Sequence, residues 1–361
     1  MSKKPIRVGI IGAGWWAANT HVPALREIEN VEIVAACRRQ PDRLAEFARK
    51  VGVPRTFTNH EDMLDTVAMD AIIVCSPHAL HYTHVKAALQ RGLPVLTDKP
   101  LAIHTSEAED LIKCAAEHGA KLAVFFGHAY DATYRYVAGQ VRSGALGRLA
   151  HISCTGFANP DALGFFGNAE FKPNPDEFPI LPTQFRADAA LGGGGYLQDV
   201  GNHCFSALLI GTGLEVSEVS ALMDNSELDL RANVSLKFAN GAMGNVLVVG
   251  DLRPNVQGYF GVGNFTVTGD RAGMWKTSGD SRLWRQVWGE PAEPVSANEL
   301  PSTTNPDANF IAAIRGEEEL IAPASEAIAC VRAIEAAYHA SRTGQTVRLA
   351  APSVGFLPTS C

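Results

Sequence analysis

The sequence predicts an α/β chain, with a parallel sheet covered by helices on both faces and then a second, strand-rich α/β domain. Three observations predict this. Through residue 126, short and continuously apolar strands alternate with helical segments, the pattern of strands buried on both faces. The first strand, Ile6 to Ile11, stops at Gly12-Ala13-Gly14-Trp15-Trp16-Ala17, a Gly-x-Gly-x-x-Ala turn that opens a helix running to about Glu29. From Val216 onward the strands read as half-buried: Leu230, Ala232, Val234, Leu236 and Phe238 alternate with Arg231, Asn233, Ser235 and Lys237.

Each small residue of the turn has a physical task. Gly12 permits the tight strand-to-helix turn, Gly14 lets a pyrophosphate approach the backbone, and Ala17 lets the helix pack on the strand. The positive end of the helix faces the phosphates. Glycines at a turn are ordinary, but the flanking strand and helix supply the required context, so dinucleotide binding is expected. Trp15 and Trp16 are counted with its residues.

Val31 to Cys37 is a second strand, and Pro41 to Lys50 an amphipathic helix that completes a βαβ unit. Glu61 to Val67 reads as helix, Ala71 to Cys75 as strand, Leu80 to Arg91 as helix, Pro94 to Thr97 as strand, Ser106 to His118 as helix and Lys121 to Phe126 as strand. Ligands of such sheets bind beyond the carboxyl ends of the strands. Arg38 and Arg39 follow the second strand, at the position where an acidic residue holds the ribose 2′-hydroxyl of NAD; cations there suit a 2′-phosphate. NADP is therefore favoured over NAD, against the plainer reading of two solvated arginines. Ser76, Pro77 and His81 follow the strand at 71–75 and join the expected cofactor site. Lys99 ends the next strand, and because its charge is hard to bury unpaired it either serves the cleft or reaches solvent. Pro100 restricts it to an extended backbone and is a candidate for a cis bond.

Beyond residue 127, Asp131 to Ser143 reads as helix and Arg148 to Phe157 as strand. The stretch 159–191 is long, irregular and rich in Pro, Gly, Asn and Phe. Such loops are usually functional or disordered, and Phe165, Phe166, Phe171, Phe178 and Phe185 favour an ordered cover over a pocket, with Arg186 expected to bind substrate. Four glycines at 192–195 then precede a helix to about Gly211. Within it Asp199 and His203 stand four residues apart, on one face. The carboxylate orients the imidazole or binds a substrate hydroxyl, and the imidazole exchanges a proton near neutral pH. A mere surface pair is the alternative; the glycine run, which admits another chain segment or a ligand, favours function. An Asn240-Gly241 turn joins two strands into a hairpin, further strands are expected at 258–269, 273–277 and 282–288, and helices at 306–315 and 325–341 close the fold before an irregular tail at 350–361.

Composition bounds the function. With 46% apolar and 19% charged residues among 361, the chain is neither disordered nor a coiled coil. A net charge of -7 without a basic run makes nucleic acid and anionic membranes poor partners, and no segment carries the roughly 20 uninterrupted apolar residues of a spanning helix. Met1-Ser2-Lys3-Lys4 leads straight into a strand with no apolar leader. Seven cysteines lie singly, without metal-ligand spacing, so no metal is expected and buried free thiols in a reducing cytoplasm are the simplest reading.

These motifs together resemble the Gfo/Idh/MocA family, the relatives of glucose-fructose oxidoreductase and inositol dehydrogenase. The nucleotide turn is similar to the family's, Asp98-Lys99-Pro100 resembles its Glu-Lys-Pro motif, and Gly193 to His203 is similar to its Gly-Gly-Gly-x-x-x-Asp-x-Gly-x-His signature. Asn309 to Gly316 and Ala336 to Gly344 look like its closing helices. The resemblance implies a Rossmann domain at 1–128 and a substrate-binding α/β domain at 129–349 with a large, mostly antiparallel open sheet, a cleft between them, and homo-oligomers (dimer or tetramer) formed through that sheet. It implies that Lys99 positions nicotinamide and substrate, that Asp199 binds substrate hydroxyls, and that His203 is the acid/base for hydride transfer at a carbinol or ketone of a sugar, keto-sugar or cyclitol. Asp98 stands for the usual Glu, and Tyr130 and Asp131 lie near a position where many members carry Arg. A glycosidase-like enzyme that uses a retained nucleotide transiently and a sensor without turnover are the alternatives; intact Lys99, Asp199 and His203 argue against the sensor.

Overall fold

The computed structural model describes residues 4–157, 180–251, 262–277 and 280–350. Phe165, Phe166, Phe171, Phe178, most of the expected cover segment and the tail at 351–361 lie outside them. Among the described residues, 4–125, 180–193 and 305–324 form one compact unit and the remainder a second.

The first unit holds six strands: β1 (Ile6–Ile11), β2 (Val31–Cys37), β3 (Thr56–Phe57), β4 (Ala71–Val74), β5 (Val95–Asp98) and β6 (Leu122–Phe125). Their order is β3-β2-β1-β4-β5-β6, and every pairing is parallel. This is the doubly wound nucleotide-binding order, with the reversal between β1 and β4. Val8, Ile10, Ile73 and Leu96 are fully buried, as strands covered on both faces require. The helix after the turn begins with a π turn, Ala17–His21, continues as α over Val22–Glu27, and so ends slightly before the expected residue. β3 escapes the sequence pattern because two residues carry no periodicity.

The division of the chain also differs from a boundary at 128/129. The helix Pro306–Arg315 belongs to the first unit, where Phe310 and Ile311 enter the core beside Ile10 and Ile73. Val124 N donates to Ala322 O at 3.0 Å, and Ala123 bridges Pro323. Ile180, within the long irregular stretch, is buried in the same core. Apolar burial, which ignores chain order, decides where these segments go.

The second unit is built on nine strands: β7 (Leu149–Phe157), β8 (Val216–Met223), β9 (Arg231–Phe238), β10 (Met243–Val249), β11 (Val262–Gly269), β12 (Ala272–Thr277), β13 (Asp280–Val287), β14 (Glu293–Pro294) and β15 (Val347–Arg348). The order is β14-β13-β12-β11-β7-β10-β9-β8-β15, and only β7 and β10 pair in parallel. The β9–β10 hairpin forms as expected: Ala232, Val234, Leu236 and Phe238 are buried, and Gly241 takes φ +87° in the turn. The opposite face is open. In register across it lie Leu222, Asn233 and Leu247, and also Lys237 and Met243, with Leu222 77% and Met243 53% exposed.

Candidate functional site

In the first unit the carboxyl ends of β1, β2, β4 and β5 present Gly12, Arg38, Ser76 and Lys99. Gly12 takes φ +94°, and a Cβ there would lie 2.4 Å from Ser76 N, so only glycine permits this approach. The amides of Gly12 and Ala13 both reach Cys37 O, at 2.9 and 3.1 Å, which seats the turn on the end of β2. Ala17 is fully buried in the core, as close helix packing requires. Trp15 and Trp16 lie tilted against each other at 5.5 Å, and Trp16 meets Phe125 edge-on at 5.8 Å, so both contribute packing at the turn.

Arg38 folds over that turn. Its Nη1 donates to Ala13 O at 2.9 Å and its Nε to Gln40 Oε1 at 3.0 Å, and a Cβ on Gly14 would lie 3.3 Å from Nη1. Burial and then Arg43 push its pKa down. A half-buried guanidinium whose described partners are neutral oxygens suits an anion. Arg39 is exposed. The glycine-lined turn fits the diphosphate of a dinucleotide.

His81 has a different task from the one expected. It is fully buried, with Nδ1 2.6 Å from Pro100 O and Nε2 2.8 Å from Ser76 O, so the ring braces two strand ends internally. Burial lowers its pKa, and a neutral ring donates to one of the two carbonyls. Pro77 leads into a single 3-10 turn at His78–Leu80. The Lys99–Pro100 bond is cis.

Beneath Lys99 lies a cluster that sequence reasoning missed. His21 Nδ1 bonds Asp307 Oδ1 at 2.7 Å, and His21 Nε2 bonds Asp98 Oδ1 at 3.1 Å. Val74 pairs with Thr97, so Cys75 and Asp98 emerge side by side at the sheet edge. Donor atoms of His21, Cys75 and Asp98 lie within 4.8 Å of one another, close enough to share a cation, although the direct His21–Asp98 bond already occupies two of them. A histidine four residues past Ala17, inside an apolar helix, is the one sequence signal for this cluster; its partner is 286 residues away.

Arg186 sits 4.5 Å over the Phe185 ring in a 3-10 turn at Phe185–Ala187. Phe185 in turn meets His78 edge-on at 5.1 Å, and His78 Nδ1 lies 2.8 Å from Gly192 O, so this part of the stretch docks on its own unit.

In the second unit Asp199 and His203 follow the glycine run. Leu197–Gly201 is a π turn that passes into the α-helix Asn202–Leu209, a feature enriched at functional sites. The run is explained by chain packing. A Cβ on Gly194 would meet Tyr338 Oη at 2.5 Å, and one on Gly195 would meet the Asp229 backbone at 2.2 Å. Gly195 N donates to Tyr338 Oη at 3.0 Å, and Leu197 N to Asp229 Oδ2 at 2.8 Å, which fixes the start of the turn. Asp199 is buried, at 5% exposure. His203 meets His128 edge-on at 5.3 Å, a neighbour the sequence did not indicate. Burial, opposed by Asp131 and reinforced by Lys276, pushes His128 down to about 4, so it is neutral at pH 7. Asp131 caps the helix Ala132–Arg142 by accepting from Thr133 N at 2.8 Å. Lys276 Nζ lies 4.0 Å from Asp131 and 5.4 Å over the Tyr134 ring.

A glycine turn on a doubly wound sheet, in a chain with a second unit of mostly antiparallel sheet, defines the class of two-unit nucleotide-binding proteins. The family model described as "Oxidoreductase family, NAD-binding Rossmann fold" matches residues 6–126, and the "GFO/IDH/MocA C-terminal domain" model matches 134–274. The chain belongs to the Gfo/Idh/MocA family. It is similar to the D-glucoside 3-dehydrogenase of Escherichia coli (strain K12), 29% identical over 211 residues that cover 58% of this chain and 54% of the relative. It is also similar to the dTDP-3,4-didehydro-2,6-dideoxy-alpha-D-glucose 3-reductase of Streptomyces antibioticus, 32% identical over 62% of each chain. The chain thus spans 54% and 62% of the length of these two curated relatives. In fold it matches the crystal structure of an inositol dehydrogenase homolog complexed with NAD+ from Azotobacter vinelandii, with a TM-score of 0.78 at 18% identity, over 96% of this chain and 98% of the other. No described helix is long and apolar enough to cross a membrane.

Proposed function

We propose that this chain is an NAD(P)-dependent oxidoreductase that moves a hydride between nicotinamide and a carbinol or ketone of a sugar, keto-sugar or cyclitol, with NADP preferred. The observation that carries the reading is Lys99, set at the carboxyl end of β5 beside the turn-bearing β1–β4 switch point, in a chain whose second unit bears a buried Asp199 and a half-buried His203. The two curated relatives are both named for chemistry at carbon 3 of a glucose-type ring, so a C3 carbinol heads the candidate substrates.

Bound nicotinamide supplies the hydride acceptor or donor. The chain's own groups do the rest. His203 takes the hydroxyl proton as the carbinol is oxidised and returns it in the reverse direction. Neutral His128 against its edge adds no positive charge that would oppose proton uptake by His203. Lys99 stabilises the developing oxyanion, and Asp199 accepts hydrogen bonds from substrate hydroxyls. Gly12, Gly14 and the first turn of the following helix hold the diphosphate, and Arg38 takes the 2′-phosphate, with Arg39 and Ser76 at the rim. Arg186 and the stretch that carries it select the substrate. Self-association uses the open face of the second sheet, where Leu222 and Met243 are exposed.

The test is a panel of sugars and inositols screened with each cofactor at the nicotinamide absorbance band. Lys99→Ala and His203→Ala are expected to lower turnover by about a hundredfold or more, while cofactor affinity and Tm stay close to wild type. Near-normal turnover by His203→Ala over about pH 6 to 9 would move the acid/base role to another group. Tightly co-purified nucleotide without net reduction by any sugar would favour the glycosidase-like alternative.

A further inference from the structure

The mechanism above makes no use of the buried ionisable cluster under β5. His21 is inaccessible to solvent, Asp307 is 1% exposed and Asp98 15%. They come from three places: the helix after the nucleotide turn, the carboxyl end of β5, and the first turn of Pro306–Arg315. Cys75 flanks them at the end of β4, and the Phe125 ring of β6 closes the remaining side, edge-on to His21 at 4.8 Å. Asp307 Oδ2 is buried without a hydrogen-bond partner among the described residues.

A neutral imidazole has one N–H, and here both ring nitrogens face carboxylate oxygens. Two bonds to two acceptors require two donors, so the geometry calls for the imidazolium. The charges agree. Burial alone disfavours the cation, but Asp307 first, then Cys75 and Asp98, oppose it and hold the His21 pKa well above the ordinary value. Because burial pushes the Cys75 thiol up to about 12, it is uncharged at neutral pH, and there the charge that opposes burial is that of the carboxylates. The trio therefore carries two negative charges and one positive, all in low dielectric.

We propose that Asp307 and His21 are positioning residues for Lys99: a carboxylate–imidazolium–carboxylate chain that fixes Asp98, whose backbone carries Lys99, at the edge of the nucleotide site. Asp98 Oδ1 is thereby engaged inside the cluster, and the backbone that follows it, which carries Lys99, is held at the strand end. Because Asp307 arrives from the far end of the sequence, the chain also makes the placement of Lys99 conditional on docking of the 305–324 segment. The inference rests on the proposed hydride transfer for Lys99's role, but the charge and order of the trio are independent of it.

The first measurement is ¹⁵N NMR of His21 in the full chain, assigned by loss of the signal in His21→Gln. Both nitrogens are expected protonated at pH 7.5 and above, and Asp307→Asn is expected to abolish this. A singly protonated His21 in the wild type would overturn the proposal. The second is the ¹³Cε methylene of Lys99, ordered in the wild type and mobile in His21→Gln; equal order in both would likewise overturn it, whether or not any sugar is turned over. Where turnover is found, Asp307→Asn is expected to lower kcat about tenfold or more with cofactor Kd within about twofold, and to move the alkaline limb of the kcat profile to lower pH, because a less stabilised imidazolium loses its proton sooner. Asp307→Glu should recover part of kcat. A variant that loses only Tm, with kcat and pH limb unchanged, would reduce the trio to a structural staple. One equivalent of zinc in the purified protein, lost in Cys75→Ser, would refute the proton-linked reading and identify a metal centre.

Discussion

Acidification is expected to destabilise the protein through two half-buried imidazoles, one in each unit. Burial, followed by the neighbouring imidazoles of His60 and His81, pushes His84 down to about 3, and burial first of all pushes His128 down to about 4. An unfolded histidine titrates near 6.5, so between pH 7 and pH 5 the unfolded chain takes up protons that the folded one refuses, and stability falls as pH falls. For a folded pKa of 4 or below, this linkage integrates to about 2 kcal/mol per residue over that interval. Both rings keep slight solvent contact, which trims the figure, and about 1 to 2 kcal/mol each is the expectation. Urea unfolding at pH 7 and pH 5, compared between wild type and His128→Gln, isolates one contribution, and the variant should lose about 1 to 2 kcal/mol less over the interval. An identical pH dependence in the two proteins would show that His128 is protonated, or hydrated, in the folded state. His21 acts with the opposite sign: its raised folded pKa adds stability that is complete below about 6.5 and lost as pH rises through the folded value.

The remaining predictions concern single side chains. Arg38→Asp should weaken NADPH by about ten- to a hundredfold, the worth of one charge-assisted contact, and spare NADH; equal affinity of the wild type for both cofactors in a fluorescence titration would dismiss Arg38 as the selector. Gly195→Ala places a Cβ 2.2 Å from the Asp229 backbone and should cost about 3 kcal/mol or more, read as a lower Tm. Gly139→Ala, in the helix Ala132–Arg142 with nothing within 4 Å of the new Cβ, should raise stability by about 0.5 to 1 kcal/mol, and a loss there would show that the space beside Gly139 is not open.

Much of the architecture was legible because it follows from patterns of two and 3.6 residues. The strands of the first sheet other than β3, the β9–β10 hairpin and the helix Pro306–Arg315 with its proline at the first helical position all announce themselves locally. What escaped depends on distance. The glycines at 194 and 195 admitted another chain segment or a ligand, and their neighbours are Tyr338 and Asp229, which no local window contains. His81 follows a strand end, as a cofactor contact would, but its two carbonyl partners mark it as a brace. His21 and Asp307 are unremarkable one at a time, and become a unit only when 286 residues of separation are closed.

That closure bears on how the protein is made. The nucleotide-binding sheet is finished by Phe125, yet Phe310 and Ile311 belong to its core, so a ribosome must deliver nearly the whole chain before this unit can be filled. Until then Ile10, Ile73 and their neighbours lack part of their cover, and the nascent chain carries sticky apolar surface for most of its synthesis. Contacts of such long range fold slowly, because loop closure costs entropy before burial repays it. A fragment ending near residue 126, which family boundaries alone would recommend as an independent domain, lacks the segment that completes it.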